Sequence, residues 1–139
     1  QDGGRFECSL LVVGQIAGGP PRLFMIYRAG NFVEATPDTP YLQIGEHKYG
    51  KPILDRAVKY DTPLNEALKL ALISMDSTIR SNLAVGLPVD AMVVPRDALA
   101  ASVNVRIGQD DPYFESVRHA WSDALREAHQ HIPNPPYGA

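Results

Sequence analysis

Apolar positions along this chain recur at two spacings, and the changes between them predict where its strands and helices lie. Five segments have strand-like apolar runs or alternation: 6–14, 22–27, 32–35, 89–94 and 102–107. A glycine turn at Gly45 predicts a first short helix, and three-and-four spacing predicts longer helices after Pro63 and Pro112. The predicted order is three antiparallel strands, two helices, two strands and a last helix.

The helix after residue 62 carries the clearest signals. Thr62 is expected to cap it, Pro63 to take its first position, and Glu66 to place negative charge in its first turn. Its apolar stripe, which would lie on a flat layer, consists of Leu64, Ala67, Leu68, Ala71, Leu72, Met75 and Ile79. Its outer face is expected to carry Asn65, Lys69, Asp76 and Arg80.

The last helix is expected to begin with a capping residue, Asp111, followed by Pro112. Its apolar face, interpreted as core or subunit contact, consists of Phe114, Val117, Trp121, Leu125 and Ala128, and extends toward Ile132.

The first predicted strand indicates that the fold needs more layers than this sequence supplies. Its later residues, 10–13, are apolar on both faces, which is typical of a strand covered on both sides. The paired helices would cover one face of the sheet, and another layer is needed on the other face. No segment of this sequence provides that layer.

The composition excludes several classes of function. The chain has 139 residues, 45% apolar and 21% charged, which fits one globular domain or part of one. A net charge of −3 with scattered Lys and Arg argues against nucleic-acid binding. No apolar run is long enough to span a membrane, and there is no signal-peptide pattern. The single cysteine, Cys8, indicates a reducing compartment, so a soluble protein in the cytoplasm is expected.

Four segments carry a resemblance to a known family: FECSLLVVG, PRLFMIYRAGNFVEA, YLQIGEHKYGKPILDR and SNLAVGLPVD. They resemble the second half of a proteasome-type β subunit, most of all the bacterial Anbu family, the ancestral β subunit. The resemblance implies an α+β fold, the four-layer αββα architecture of N-terminal-nucleophile hydrolases. It also implies that residues 1–139 are the C-terminal half of a single domain, and that the N-terminal half with the nucleophile is not present.

The resemblance further implies a threonine peptidase that hydrolyses amide bonds in a peptide or protein substrate. In that chemistry an N-terminal threonine attacks the carbonyl, its own free amine acts as the base with help from a lysine, and a backbone N–H holds the oxyanion. These groups lie in the family's first half, and Gln1, Cys8 and Ser9 are not plausible substitutes.

Two other interpretations of the chain stay open. One is a catalytically inactive proteasome-like scaffold or binding subunit, because a fold does not by itself fix a function. The other is a free-standing ligand-binding module. The two-sided apolar strand argues against the module, since an uncovered face would be a large apolar patch.

In the family this half supplies a supporting wall of the active site, built from two turns. Matching the chain to that pattern places Gly45 at a serine, Asn82 at an aspartate and Val85 at a second serine. Asn82 keeps a carbonyl acceptor without the charge, and Ser81 beside it offers a hydroxyl. The predicted supporting residues are therefore Asn82, Ser81 and Gly45. The plainer interpretation is that Asn82 and Ser81 close the helix and that Gly45 is a turn glycine.

The same resemblance provides expectations about substrate, cations and assembly. Gln15 and Ile16 follow the first strand, where the family shapes its substrate pockets. No cofactor or metal is expected, although related subunits bind a monovalent cation near the turn matching residues 83 to 90. A ring-like homo-oligomer is implied, in which facing rings meet through the helix layer of residues 47–83.

Two polar groups are interpreted as solvated. Glu46-His47-Lys48 at a helix start is more typical of a cap than of an acid/base cluster. The last helix carries three histidines without ligand spacing, which indicates surface residues and not metal ligands: His119, His129 and His131.

Overall fold

The computed structural model describes residues 8–137, which form an α+β structure. Its strands are β1 (Leu10–Gln15), β2 (Pro21–Ile26), β3 (Phe32–Glu34), β4 (Val89–Val93) and β5 (Val103–Ile107). Its helices are α1 (Lys51–Ala57), α2 (Leu64–Ser81) and α3 (Pro112–His131). The predicted order of elements is confirmed; the start of the first predicted strand, at residues 6 and 7, lies outside the described residues. No helix in the described part is long and apolar enough to cross a membrane.

The five strands form two antiparallel sheets. In the larger sheet β2 lies between β1 and β3, with Val12 opposite Phe24 and Phe24 opposite Glu34. In the smaller sheet β4 pairs with β5, with Ala91 opposite Val105. The strands of each sheet follow one another along the chain, so connections of five to nine residues, and not long crossovers, determine its register.

Strand β1 exposes apolar side chains on both of its faces. Leu10 and Val12 on one face are 50% and 46% exposed, and Leu11 and Val13 on the other are 39% and 74% exposed. Because successive side chains of a strand point to opposite faces, the helices of the chain leave both sides of β1 partly open. Contiguous apolar surface exposed in this way is normally covered by another layer of the same domain or by another chain.

The core lies where α2, α3 and the smaller sheet meet. Leu72 of α2, Ile107 of β5 and Phe114 of α3 are buried together. Partly buried apolar side chains surround them: Leu68, Ile79, Leu87 and Ala91. The α2 stripe predicted from the sequence therefore does face a layer, although Leu64 at its start is exposed.

The predicted outer face of α2 is wrong at Asp76. Its side chain has no exposed surface, and its carboxylate accepts from Nε of Arg80 at 3.1 Å and from Nε of Arg118 at 3.0 Å. Arg118 lies on α3, so Asp76 turns toward the neighbouring helix and not toward solvent. On α3 itself, Phe114 and Val117 are buried as predicted, whereas Leu125 is exposed.

The predicted cap of α2 is also wrong. The Thr62 hydroxyl accepts from the backbone N–H of Lys59 at 2.8 Å, which closes the preceding turn. Pro63 takes the capping position without a side-chain hydrogen bond, and its carbonyl accepts from Ala67 at 2.8 Å. Thr62 thus lies one residue too early to reach the first turn, while Glu66 does lie there as expected.

The predicted cap of α3 is confirmed. The Asp111 carboxylate accepts from the backbone N–H of Phe114 at 2.8 Å, with Pro112 in the first turn. We expect Asp111→Ala to lower the free energy of unfolding by about 1 kcal/mol, because the first turn loses its side-chain acceptor. Urea unfolding of the purified protein measures this. The neighbouring Asp110→Ala is the control, and an equal loss in both variants would contradict the capping role.

Helix α2 packs tightly against Gly50, the buried residue before α1. A Cβ at this position would lie 2.1 Å from Oγ of Ser74 and 2.9 Å from the Ser74 carbonyl oxygen. The absence of a side chain therefore brings the start of α1 against the later turns of α2. This contact places the turn before α1 beside the turn after α2.

Candidate functional site

Two turns far apart in the sequence meet at one end of the helix pair. Nδ2 of Asn82 donates to Oε2 of Glu46 at 3.0 Å. Glu46 follows Gly45 in the turn before α1, and Asn82 follows the last residue of α2. The two turns therefore lie at the same end of the two helices, and this hydrogen bond joins them.

The backbone and side-chain polar groups of Asn82 all form hydrogen bonds at the end of α2. Its Oδ1 accepts from the Ala84 N–H at 2.9 Å, and its backbone carbonyl accepts from the Val85 N–H at 3.1 Å. Its own N–H donates to the Thr78 carbonyl at 2.9 Å. Asn82 therefore closes the helix, as its plainer interpretation holds. Because Oδ1 already accepts from Ala84, it is less available to an incoming amine than the sequence suggested.

The other predicted wall residues lie around this junction. Gly45 has φ +78°, in the left-handed region, so a serine there would be strained although no neighbouring atom lies within 4 Å of its Cβ position. Ser81 is the last residue of α2 and is exposed. Val85 is half-buried and joins the junction through its backbone N–H.

Glu46 is the site residue that sequence reasoning missed. Its Oε1 accepts from the Lys48 N–H at 3.0 Å while Oε2 accepts from Asn82. The Lys48 backbone hydrogen bond is the main cause of the lowered pKa of the Glu46 carboxyl; the Lys48 charge and the Asn82 hydrogen bond lower it further, and burial opposes them. Glu46 is therefore ionised at neutral pH. The interpretation as a solvated cap fits His47 and Lys48, both exposed, and describes only part of Glu46, which caps its own turn through the Lys48 N–H and also accepts from Asn82.

A pocket of about 430 Å³ opens beside Gly45. Its lining includes Met25, Tyr27, Tyr41, Ile44, Gly45 and Lys51. At its polar end, Nζ of Lys51 lies 2.7 and 2.9 Å from the Asp55 carboxylate oxygens, and the Tyr41 hydroxyl donates to the same carboxylate. Asp55 is the main cause of the raised pKa of the Lys51 ammonium, so Lys51 is held as a cation and is not suited to act as a base.

Gln15 and Ile16 are not part of the junction between the two turns. Oε1 of Gln15 accepts from the Asp97 N–H at 2.9 Å, and its Nε2 donates to the Asp97 carboxylate and to the Gly19 carbonyl. Asp97 has φ +62°, so Gln15 holds the loop after β4 in an uncommon conformation. Ile16 is 84% exposed and lines an open groove of about 690 Å³. Both predicted substrate residues line this groove; the Gln15 side chain is already hydrogen-bonded to the Asp97 loop, whereas the Ile16 side chain is exposed.

The turn matching the family's cation position offers few free side-chain oxygens. Asn82 Oδ1 already accepts a backbone N–H, and Arg106 binds both carboxylate oxygens of Asp90 at 2.8 Å. These residues do not fit a cation held by side chains. Within residues 8–137, no group of three or more His, Cys, Asp or Glu side chains could hold a metal ion.

Comparison with solved structures identifies relatives over nearly the whole chain. An Anbu, or ancestral β subunit, from Yersinia bercovieri matches 99% of this chain at 54% identity with a TM-score of 0.93. An Anbu from Hyphomicrobium sp. strain MC1 matches 94% of it at 53% identity with a TM-score of 0.90. The Pseudomonas aeruginosa Anbu complex, described as a helical assembly, matches 98% of it at 53% identity with a TM-score of 0.92. No protein-family model and no curated protein matches the chain.

Fold and sequence together define the class as proteasome-like, because ancestral β subunits are proteasome-like proteins. Over the length that it spans, the chain belongs to the bacterial Anbu family. It spans only 58%, 56% and 56% of the three relatives' own chains.

Proposed function

We propose that this chain is the C-terminal half of a proteasome-type threonine peptidase subunit with the four-layer αββα fold. The nucleophilic threonine would lie in a segment upstream of residue 1. Strand β1 carries this proposal: its apolar side chains are exposed on both faces, as expected where further strands and helices of the same domain are missing. The relatives support it, since 99% and 98% of this chain match only 58% and 56% of their own lengths.

The two joined turns would supply the supporting wall of the active site. A threonine hydroxyl is a weak nucleophile, and the neutral α-amine of the same residue removes its proton as it attacks the amide carbonyl. That amine must be held in place beside the hydroxyl. The Asn82 and Gly45 turns, joined through Glu46, would form a polar surface against which it can be oriented. The oxyanion donors would come from the upstream half.

The alternative is a proteasome-like subunit that binds or organises without catalysis. A specific observation favours it: the three positions where the family pattern has hydroxyls and an acid carry Gly45, Asn82 and Val85. Glu46 places a carboxylate at the same junction, which weakens that argument.

Self-association is part of the proposal. The Pseudomonas aeruginosa relative is described as a helical assembly. This supports a homo-oligomer with an open, helical arrangement in preference to the ring-like one expected from the sequence. The cytoplasm is the compartment we propose, because the chain has a single cysteine.

Peptide hydrolysis by the intact subunit tests the proposal. We expect turnover that stops when the N-terminal threonine is replaced by alanine. We also expect Asn82→Ala to lower kcat/KM about tenfold to a hundredfold, because the two turns lose the hydrogen bond that aligns them. Asn104→Ala, an exposed asparagine on β5, is the control. Absence of threonine-dependent turnover in the wild type would support the inactive subunit instead.

A further inference from the structure

We infer that the end of α3, residues 123–132, is a contact through which two copies of this chain pair, antiparallel and about a two-fold axis. The inference rests on the self-association proposed above and names a surface responsible for it. In the structure the first half of the α3 apolar face belongs to the core, and its second half is exposed in the part of the chain that the structure describes.

Helix α3 continues well past the residues that hold it to the rest of the structure. Phe114 and Val117 are buried, and Trp121 and Ser122 are partly buried. Every residue from 123 to 131 is exposed. At 1.5 Å per residue this exposed segment is about 13 Å long, or roughly two and a half turns.

The exposed segment continues the apolar face of the packed half. Leu125, Ala128 and Ile132 follow Trp121 at spacings of four, three and four residues, so all four lie on one face. Leu125 is 52% exposed and Ile132 is 68% exposed. The charged and amide side chains of the segment lie on the opposite half of the helix: Asp123, Arg126, Glu127 and Gln130. A helix that separates its residues in this way normally buries its apolar side.

The spacing of this apolar face is the same in both chain directions, which suits pairing with an identical copy. A two-fold axis brings residue i of one copy opposite residue j of the other, and j opposite i. With the axis directly after Arg126, Leu125 lies opposite Ala128 of the second copy, and Trp121 lies opposite Ile132. Each pair places a larger side chain against a smaller one, as close packing of two helices requires.

The distribution of charge also fits a second copy. Two identical faces meet in a two-fold pair, so a charged side chain on the face would be buried against apolar surface. The face carries none, and Asp123 and Arg126 pair with each other on the outer side of the same helix. The Ser122 hydroxyl beside the face donates to the Arg118 carbonyl at 2.9 Å, so it needs no acceptor across the contact.

The other occupant to consider for this face is a segment upstream of residue 1. Such a segment would need an apolar face, but it would not need one whose spacing is symmetric about its centre. The symmetric spacing therefore favours a second copy. A two-fold contact closes at two copies, so an open helical arrangement of this chain would repeat the pair through a second, different contact.

Sedimentation velocity of the intact subunit over a dilution series tests the contact. In Leu125→Asp we expect the association to weaken by at least about tenfold, because an acid would face the apolar side of the second copy. Smaller species than in the wild type should then appear at the same concentration. Gln130→Asp is the matched control, because it places the same acid on the outer side of the same segment and should leave the mass unchanged.

A mixing experiment tests the antiparallel arrangement. Ala128→Lys alone should weaken the association for the same reason as Leu125→Asp. When the two variants are mixed in equal amounts, the acid of one chain faces the amine of the other, and the second pair of positions keeps its native Leu125 and Ala128. The mass should then return toward that of the wild type. No recovery in the mixture would contradict the antiparallel pairing.

The outcomes separate this inference from the proposal on which it rests. A wild-type subunit that sediments as a monomer would contradict both. A wild-type oligomer whose mass neither Leu125→Asp nor Ala128→Lys changes would overturn the inference alone. Variants with a lower unfolding temperature and an unchanged mass would indicate that an upstream segment covers the face, and would also overturn it. Peptide hydrolysis does not enter the test, so a subunit without turnover leaves these outcomes unchanged.

Discussion

Replacing Asp76 with alanine is expected to lower the free energy of unfolding by about 3 kcal/mol. The carboxylate is completely buried and accepts from an arginine on its own helix and from Arg118 on α3. Its loss removes the polar tie between α2 and α3 and leaves the half-buried Arg118 guanidinium without its Asp76 partner. Urea unfolding of the purified protein measures the change.

The matched control for this prediction is Asp123→Ala. Asp123 also pairs with an arginine, Arg126, but both side chains are largely exposed on α3. An exposed pair contributes little, so we expect a change of less than about 1 kcal/mol. If Asp76→Ala cost no more than Asp123→Ala, the buried carboxylate would not be what holds α3 against α2.

Replacing Gly50 with alanine is the second change with a large expected effect, again about 3 kcal/mol of lost unfolding free energy. The new methyl group would lie 2.1 Å from the Ser74 hydroxyl and 2.9 Å from its carbonyl oxygen, so α1 and α2 would have to move apart. Since the two turns of the proposed site are positioned by this contact, Asn82 and Glu46 should also separate. Urea unfolding measures the stability.

Two further variants test whether the clash with Ser74 causes the loss of stability in Gly50→Ala. Gly108→Ala is the control, because no atom lies within 4 Å of its Cβ position. Adding Ser74→Ala to Gly50→Ala removes the closer of the two clashes and should recover part of the stability, while the backbone clash persists. No recovery at all would indicate that the hydroxyl of Ser74 is not the obstacle.

The parts of the fold that were predictable are those specified by neighbouring residues. The cap at Asp111 with Pro112 depends on groups within one turn, so the start of α3 could be read directly from the sequence. The strands β1 to β3 follow from apolar runs and tight turns for the same reason. Thr62 shows that a prediction from neighbouring residues can also fail. Its hydroxyl lies one residue too early, so it closes the preceding turn and does not cap α2.

The parts that were not predictable depend on partners far away in the chain. Asp76 looked solvent-exposed because the arginine that buries it lies 42 residues later, on α3. Glu46 looked like a solvated residue because Asn82 lies 36 residues later. The contact of Gln15 with Asp97 could not be predicted either, because the two residues lie 82 positions apart. From the sequence alone each of these side chains has an ordinary local interpretation. The distant partner of each becomes visible only in the tertiary structure.

The measurement that tests the central claim most directly is the intact mass of the purified polypeptide together with its N-terminal sequence. The account predicts a polypeptide longer than the 139 residues described by this sequence, with threonine as its first residue. A mass of 15.2 kDa with Gln1 as the first residue would contradict it, because no nucleophile would then be present.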